Sequence, residues 1–376
     1  MPAERYIGLI SGTSMDGIDA VLADFATPAP TLLAALNVPF DETLRTALDT
    51  LRGDPDAFPA ARLARLHAEL GTGFGEAARA VLAHTGLKPG DVRAIGSHGQ
   101  TVLHRPDAAP PHSLQLGDPA RIAAITGIDV VADLRSADLA AGGQGAPLAP
   151  LIHRSLLHRP GEARVVVNLG GIANLTLLSA SDEVSGFDTG PANCFLDAWY
   201  RRHHDGRFDA GGHWASTGRV DTDWLERLLD EPYFERRPPK STGIEAFSIA
   251  WLESRLPADA DRRAADIQAT LAEFSAVSIA RAVARDVPFQ PARMLACGGG
   301  VHNTNLLARL QSHLTEQLDQ RVTVESTAAH GLDPDAVEGI LMAWLAREFV
   351  AGRAVDTRAI TGARHPVRLG ACWPAA

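Results

Sequence analysis

The sequence "LISGTSMDGIDAVLADF", residues Leu9 to Phe25, places a turn of small and polar residues between two apolar runs. Each run has the length and composition of a β-strand, so the pattern predicts a β-hairpin with its turn at Ser11 to Gly17. Glycines and hydroxyl residues in such a turn let several backbone N–H groups face one point, which suits an anion. For one turn alone, an ordinary tight turn without a ligand is the simpler interpretation.

Similar patterns occur twice more along the chain. "RVVVNLGGIANLTLLSA" (164–180) is again strand, glycine turn and strand, and two such hairpins indicate an internal duplication. "RMLACGGGVHNTNLLARL" (293–310) is strand, glycine turn and helix, with the glycines just before a helix N-terminus, where anions bind favourably. Three glycine-rich turns of this kind are typical of a nucleotide held between two duplicated halves.

The remaining segments alternate between helix and strand, which predicts an α/β arrangement. "DPARIAAIT" reads as a helix with Asp118 as its N-cap and Pro119 at its first position. The small residues of "LRSADLAAGGQGAPLAP" (134–150) indicate a loop or linker. Apolar periodicity and β-like composition predict further elements as follows: strands at 31–40, 92–101 and 127–134, helices at 41–52, 60–85, 244–256 and 264–285, and a long apolar helix within 333–352.

Composition limits the classes of function. The chain has 376 residues, which suggests two domains, and 45% hydrophobic with 21% charged residues is typical of a soluble globular protein. A net charge of -10 disfavours nucleic acid as a partner. Cys194, Cys297 and Cys372 are too far apart for a disulfide framework or a zinc motif. No apolar run is long enough to span a membrane and no signal peptide is evident, so we expect a reduced, cytoplasmic protein.

Other catalytic motifs do not fit. No Gly-Lys dipeptide occurs, which excludes a phosphate loop of the GxxxxGK[ST] type, and "GTGFGEAAR" (71–79) lacks the last glycine of a dinucleotide fingerprint. The sequence places Asp188 in "SGFDTGPAN" between a strand and a Gly-Pro turn, as a general base or as an Asx-turn residue. His98 ends a strand and can reach a ligand, whereas the spacing of His203, His204 and His213 is poor for a metal site.

Many motifs, in one order, carry a resemblance to a known family. They are "GLISGTSMDGIDAVL", "GSHGQTVLHRP", "LQLGDPARIA", "AGGQGAPLAP", "VNLGGIANLT", "GFDTGPANCFLDAW", "PPKSTG", "ACGGGVHN" and "AVEGILMAWLA". Over essentially its whole length the chain resembles the anhydro-N-acetylmuramic acid kinases, which belong to the sugar kinase/actin/Hsp70 superfamily. The resemblance implies two duplicated α/β domains of the actin/hexokinase type with an ATP-binding interdomain cleft. The expected domains are 1–135 with about 351–376, and 136–350.

The resemblance also implies a role for individual residues. Asp188 is the expected catalytic base, and the expected sugar-side residues are His98, Asp133, Arg135 and Glu338, with Arg135 suited to a lactyl carboxylate. The resemblance assigns no residue as a metal ligand, although Asp16 and Asp19 are of the type that orders a metal ion or its waters on phosphate. The expected nucleotide contacts are Gly12, Thr13, Ser14, Met15, Asp16, Gly17, Ile18 and Asp19 in the first hairpin, Gly170 and Gly171 in the second, and Gly298, Gly299 and Gly300 near the adenosine.

The implied reaction uses ATP and Mg²⁺ to open 1,6-anhydro-N-acetylmuramic acid with water and to phosphorylate O6, in peptidoglycan recycling. A plain sugar kinase acting on a free hydroxyl is the alternative enzyme, and an ATP-switched assembly or chaperone protein is the alternative of another class. A homodimer is compatible with the sequence, which leaves the oligomeric state open. The sequence departs from the usual family pattern at Ala192, where a glycine is expected, in "ADLR" for "ADFR", in "VEG" for "VEA", and in "FDAGGHWAST".

Overall fold

The computed structural model describes residues 4–12, 15, 17–27, 29–243 and 246–375, except for the side chain of Arg262. The chain divides into two units, Met1–Leu156 with Ala336–Ala376, and Leu157–Asp335. The boundaries expected from the sequence differ from these, because they place 136–156 and 336–350 in the second domain.

The elements follow the alternation that the sequence predicts. The strands are β1 Arg5–Ser11, β2 Gly17–Asp24, β3 Thr31–Pro39, β4 Ala94–Arg105, β5 His112–Leu116, β6 Val130–Ala132, β7 Arg164–Leu169, β8 Ile172–Leu178, β9 Val184–Pro191, β10 Arg293–Cys297, β11 Thr323–Ser326 and β12 Ala371–Trp373. The helices are α1 Glu42–Gly53, α2 Ala60–Thr85, α3 Pro119–Thr126, α4 Ser136–Ala140, α5 Ala149–Leu157, α6 Asn193–His203, α7 Thr222–Leu229, α8 Pro232–Glu235, α9 Ile249–Glu253, α10 Ala264–Asp286, α11 Thr304–Leu318, α12 Val337–Val350 and α13 Arg358–Thr361.

The first unit is built on one mixed sheet. Its strands lie in the order β12-β6-β4-β1-β2-β3, and β5 pairs with β4. The predicted hairpin is confirmed, since β1 and β2 are antiparallel and Ile10 pairs with Asp19 at its closed end. β4 runs parallel to both β1 and β6.

The second unit repeats this arrangement. Its sheet has the order β11-β10-β7-β8-β9, with antiparallel pairing of β7 with β8 and β8 with β9. β10 is parallel to β7 and to β11. In both units an antiparallel three-strand meander is therefore followed by two parallel strands on the other side of the first strand. This shared order confirms the internal duplication that the two hairpins indicate.

Glycines let helix α12 lie directly on the first sheet. A Cβ atom on Gly8 of β1 would lie 1.8 Å from the carbonyl oxygen of Gly339, and one on Gly96 of β4 would lie 2.0 Å from that of Met342. A Cβ atom on Gly339 would in turn meet Val21 of β2 at 2.3 Å. Backbone therefore meets backbone across this interface, and residues 336–350 belong to the first unit.

Residues 134–150 are not a linker. They include the short helix α4 and the start of α5, and Asp138 of α4 is fully buried. The Asp138 carboxylate accepts hydrogen bonds from the hydroxyl groups of Thr357 at 2.5 Å and Thr361 at 2.8 Å, and from the Gly145 N–H at 2.7 Å. A buried carboxylate needs such donors, and these tie the segment to the C-terminal part of the first unit.

The second unit has an aromatic core beside its sheet. Phe195 of α6 stacks on Trp251 of α9 with ring centroids 5.3 Å apart, and Phe247 meets Trp251 edge-on. The predicted helix at 244–256 is shorter in the structure, where α9 covers Ile249–Glu253, and residues 244 and 245 lie outside the described part. Across the residues that the structure describes, no helix has the length and hydropathy to cross a membrane.

Candidate active site

The end of β1 is fixed by a glutamine from β4. Ser11 is buried and its hydroxyl donates to the Gln100 side-chain oxygen at 2.6 Å. The Gln100 amide donates in turn to the carbonyl of Gly12 at 3.3 Å, and Met15 N–H donates to the same carbonyl at 3.2 Å. Met15 has a φ of 53°, which is rare for a residue other than glycine and marks a tightly constrained turn.

The other residues assigned to the first hairpin have different positions. Gly17 begins β2, where a Cβ atom would lie 2.7 Å from the Val38 carbonyl oxygen, and Ile18 is buried. Asp19 accepts a hydrogen bond from the Asn37 side chain at 2.8 Å. The remaining predicted contacts of this hairpin, Thr13, Ser14 and Asp16, lie outside the described residues.

The structure brings His98 and Arg135 together, as two of the four predicted sugar-side residues. Arg135 Nε donates to His98 Nε2 at 3.0 Å, and His98 Nδ1 donates to the carbonyl of Gly99 at 3.0 Å. This arrangement requires the neutral imidazole, with its proton on Nδ1. Burial, with the Arg135 charge as the second cause, lowers the pKa of His98 to about 3, so the ring stays neutral at physiological pH.

The surroundings of Arg135 are polar and ordered. Its Nη1 donates to the Gly145 carbonyl at 2.6 Å. His104 of β4 lies near enough for Arg135 to be the second cause, after burial, of a pKa lowered to about 3. Two histidines that stay neutral therefore adjoin one guanidinium, which keeps the local charge positive.

The two other sugar-side residues lie elsewhere in the first unit's sequence, after β6 and at the start of α12. Asp133 follows β6, is exposed, and has a φ of 54°. Strained backbone of this kind occurs preferentially at functional sites. Glu338 lies half-buried in the first turn of α12.

In the second unit the glycine turn packs on the start of α6. The Gly170 carbonyl accepts from Asn193 N–H at 3.0 Å, and the Gly171 carbonyl accepts from Ala192 N–H at 2.9 Å and Cys194 N–H at 3.2 Å. Because the peptide group is planar and trans, the Gly171 N–H points away from α6. Ala192 has a φ of -112°, outside the left-handed region, so alanine fits where the family pattern has glycine.

The third glycine turn contacts the second. A Cβ atom on Gly298 would lie 2.3 Å from Asn168 Oδ1, and one on Gly300 would lie 2.6 Å from Leu169 Cβ. Gly298 also has a φ of 77°. At Gly299, by contrast, an added Cβ atom has no atom of a described residue within 4 Å, apart from its own local backbone and chain neighbours. The turn is thus packed on both sides of Gly299 and open at Gly299 itself.

Asp188 is held by a segment from α8 to residue 242. It is buried, Thr242 N–H donates to its Oδ2 at 2.9 Å, and Asp188 N–H donates to the Lys240 carbonyl at 3.1 Å. The Tyr233 hydroxyl donates to the Asp188 carbonyl at 2.8 Å. Main chain and side chain are therefore both fixed.

The position of Asp188 within its strand differs from the sequence prediction. β9 continues to Pro191, so Asp188 lies inside the strand and not at its end. Asn174 pairs with Asp188 and Ala173 pairs with Gly190, which leaves Thr189 as an extra residue in a β-bulge. Bulges of this kind re-aim side chains beside active sites.

Sequence reasoning missed several residues of the site. From the sequence, no role was expected for Gln100, Asn168, Tyr233, Lys240 or Thr242. The motifs "GSHGQT" and "PPKSTG" contain three of them, so those motifs were the available signal. No group of three or more His, Cys, Asp or Glu among the described residues is placed to hold a metal ion.

The chain is similar to known proteins over nearly its whole length. The family model described as "Anhydro-N-acetylmuramic acid kinase" matches residues 4–375. A protein of that name from Xylella fastidiosa is 47% identical over 377 residues, which cover 100% of this chain and 97% of that protein. One from Xanthomonas campestris pv. campestris is 48% identical over 98% of this chain and 97% of its own, and one from Photobacterium profundum is 42% identical over 100% of both.

Similarity to solved structures is lower. A ROK family glucokinase from Streptomyces griseus aligns with 92% of this chain and 99% of its own, at 14% identity and a TM-score of 0.40, which supports no further argument. The family match covers nearly the whole chain and the named relatives share more than two fifths of its residues. The chain therefore belongs to the anhydro-N-acetylmuramic acid kinase family.

Proposed function

We propose that this chain is an ATP-dependent kinase of peptidoglycan recycling that hydrolytically opens 1,6-anhydro-N-acetylmuramic acid and phosphorylates O6. The products are N-acetylmuramic acid 6-phosphate and ADP. The family match over residues 4–375 is the observation that carries this proposal. The fixed, buried carboxylate of Asp188 supports it chemically.

Asp188 acts as the general base in this proposal. With Oδ2 held by the Thr242 N–H, the carboxylate is oriented to take a proton from one water molecule. The water oxygen bonds to C1 of the sugar while the bond between C1 and O6 breaks, so no further leaving group is needed. ATP supplies the γ-phosphoryl group that O6 takes up.

The glycine turns are proposed to hold the nucleotide. The phosphates lie against Gly12 to Asp19 and against Gly170 and Gly171, and the adenosine lies near Gly298 to Gly300. The open face of Gly299, between two glycines that admit no side chain, supports this assignment. Glycine is what such a turn needs when a ligand must approach bare backbone.

Mg²⁺ is proposed as the metal of the reaction. It is usually held by one or two carboxylates together with substrate phosphates and water, so a cluster of three protein ligands is not required. Asp16 and Asp19 are the candidates, and Asp19 already has one carboxylate oxygen positioned by Asn37.

The sugar is proposed to lie near His98, Asp133, Arg135 and Glu338. His98 is neutral and contributes no charge, so Arg135 beside it supplies the positive charge that attracts the lactyl carboxylate. The Arg135 side chain is already oriented by His98 and Gly145, so little side-chain entropy is lost when the carboxylate binds.

A heavy-oxygen experiment tests the reaction. In ¹⁸O-labelled water we expect label at C1 of the product and none in its phosphate or in free phosphate, with samples taken before C1 exchanges with solvent. Label in phosphate would indicate ATP hydrolysis. Unlabelled C1 at early times would favour a plain kinase acting on an existing hydroxyl.

Substitution of Asp188 tests its proposed role as general base. Asp188→Asn should fold and bind ATP but lose about 10²–10⁴ in turnover, because the amide cannot accept the proton. Retention of more than half of the wild-type kcat would remove Asp188 from the mechanism.

Gly299→Ala adds one methyl group that, beyond the local backbone and chain neighbours, meets no described residue within 4 Å. Stability should be unchanged and ATP binding weakened, measured by isothermal titration. Gly90→Ala, where an added Cβ atom is equally distant from the described residues beyond its local backbone, is the matched control. Equal ATP affinity in both variants would place the nucleotide elsewhere.

We further propose a cytoplasmic location, where ATP is available, and a homodimeric assembly. Light scattering after gel filtration tests the assembly, since a homodimer has twice the 39.9 kDa of one chain. A mass of one chain at micromolar concentration would contradict it.

A further inference from the structure

The second unit contains a cavity of about 380 Å³ that the proposed reaction does not use. Thr189 of β9, Phe234 of α8, and Ser278 and Arg285 of α10 contribute to its wall, together with Lys240. Thr189 is the neighbour of Asp188, but Asp188 is not part of the lining. The volume is in the range of pockets that hold small organic ligands.

Lys240 is a buried cation that forms no ion pair with the residues that the structure describes. The residue is 2% exposed, and Nζ has one long contact, 3.5 Å, to the Tyr233 carbonyl oxygen. Nζ lies 4.7 Å from the centre of the Tyr233 ring. No Asp or Glu among the described residues forms an ion pair with it, although burying an unpaired charge is costly.

The carboxylates near the cavity are already matched by arginines. Asp286, with a side chain 1% exposed, pairs with Arg285 at 2.6 Å and with Arg237 at 2.7 Å. Glu235 lies at the rim, 87% exposed, and its nearest cation is Arg285 at 3.7 Å. Arg285 also donates to the carbonyls of Phe234 and Arg236.

A second cation lines the same cavity. Arg281 of α10 is exposed, and it has no hydrogen bond or ion pair with any residue that the structure describes. The cavity thus presents an ammonium group at its wall and a guanidinium group at its opening. Both positive charges are additional to the arginine charges that pair with the nearby carboxylates. Burial, followed by the Arg285 charge, lowers the pKa of Lys240 to about 8, although the charges of Asp286 and Asp188 act in the opposite direction.

We propose that this cavity binds the phosphate group of a small molecule, with Lys240 and Arg281 as its cationic partners. Lysine and arginine are the usual ligands of phosphate, and both donate charge-assisted hydrogen bonds to its oxygens. The volume beyond the phosphate and the apolar wall at Phe234 accommodate the rest of a compact molecule such as a sugar phosphate.

Occupancy of the cavity is coupled to Asp188. The Lys240 carbonyl accepts the Asp188 N–H, and Thr242, two residues further on, donates to the carboxylate. A ligand that fixes Lys240 therefore also fixes the segment that orients Asp188. This coupling depends on the proposed role of Asp188, whereas the binding itself does not.

Isothermal titration at constant ionic strength tests the binding, with inorganic phosphate and glucose 6-phosphate as probes. Glucose and chloride are the controls for the sugar and for a simple anion. We expect millimolar or tighter binding of at least one phosphate compound. Tighter binding of glucose 6-phosphate would assign the site to phosphorylated sugars, and tighter binding of inorganic phosphate would assign it to the free anion. No binding of either compound by the wild-type protein would overturn the proposal.

Substitutions locate the bound phosphate. Lys240→Met and Arg281→Gln should each weaken binding at least tenfold, because each removes one charged donor. Arg207→Gln removes the same charge from an exposed position of the same unit that does not line the cavity, and should leave binding unchanged. If Lys240→Met fails to fold, Arg281→Gln decides, since its side chain is exposed. Equal binding by wild type and Arg281→Gln would place the anion elsewhere and overturn the proposal.

Kinetics test the coupling. The phosphate compound that binds should change kcat in the wild-type and Arg207→Gln proteins and have little effect in Arg281→Gln. Binding without any change in kcat would overturn the coupling to Asp188. Because the titrations contain neither ATP nor anhydro sugar, they remain decisive even if the proposed reaction is wrong.

Discussion

Acid should destabilise the first unit through three histidines, of which His98 and His153 are buried and His104 is half-buried. His98 and His104 of β4 and His153 of α5 all have a pKa lowered to about 3, with burial as the first cause in each. In the unfolded chain a histidine has a pKa near 6.5. Between these two pKa values the unfolded state binds protons that the folded state does not bind. The free energy of unfolding therefore decreases as the pH falls below about 6.5.

The magnitude follows from the two pKa values. At about pH 5.5 each histidine lowers the free energy of unfolding by about 1.4 kcal/mol relative to neutral pH, so the three together lower it by about 4 kcal/mol. That is a large fraction of the stability of an ordinary domain. The loss continues with falling pH until about pH 3, where the folded state also takes up the protons.

Urea unfolding followed by circular dichroism at about pH 7.5 and about pH 5.5 measures this loss. His153→Leu removes one of the three groups and should reduce the difference between the two pH values by about 1.4 kcal/mol. His365→Leu makes the same substitution at an exposed position and should leave the difference as in wild type. The reasoning is refuted if His153→Leu and wild type lose the same stability between the two pH values.

Three substitutions test other contacts. Thr357→Val removes a 2.5 Å hydrogen bond to the buried Asp138 carboxylate and should lower the free energy of unfolding by about 1.5–3 kcal/mol in urea unfolding; an unchanged value would mean that this bond contributes nothing. Tyr233→Phe leaves the Asp188 carbonyl without its hydroxyl partner, and steady-state kinetics should show kcat falling, by up to about tenfold, with the KM for ATP unchanged; a change in KM alone would contradict this. Gly300→Ala places a Cβ atom 2.6 Å from a β7 side chain and should lower the melting temperature, unlike Gly299→Ala.

Local patterns made much of the fold predictable. The two hairpins follow from apolar runs broken by glycine, and their sheets have the repeated order that duplication implies. Helix α3 is capped as its sequence indicates, because the Asp118 carboxylate accepts from the N–H groups of Ala120 and Arg121. These features depend on residues a few positions apart, so a single sequence contains their physical cause.

Contacts between distant residues were not predictable in this way. "LRSADLAAGG" reads as a linker, yet Asp138 within it is buried against Thr357 and Thr361, more than two hundred residues away. The packing of α12 on β1 and β4 is likewise a long-range event, and together these contacts set the boundaries of the first unit.

The candidate site, too, was predictable from the sequence only in part. The sequence itself singled out Asp188, His98 and the glycine turns, because a reactive side chain or a glycine in a turn is visible in a sequence, and the family resemblance added Arg135. Only the folded chain shows that Thr242, 54 residues away, holds the Asp188 carboxylate, and that a bulge re-aims β9 beside it. The reason is physical: which donor meets a buried carboxylate depends on how strands and loops pack, and that packing minimises the free energy of the whole unit.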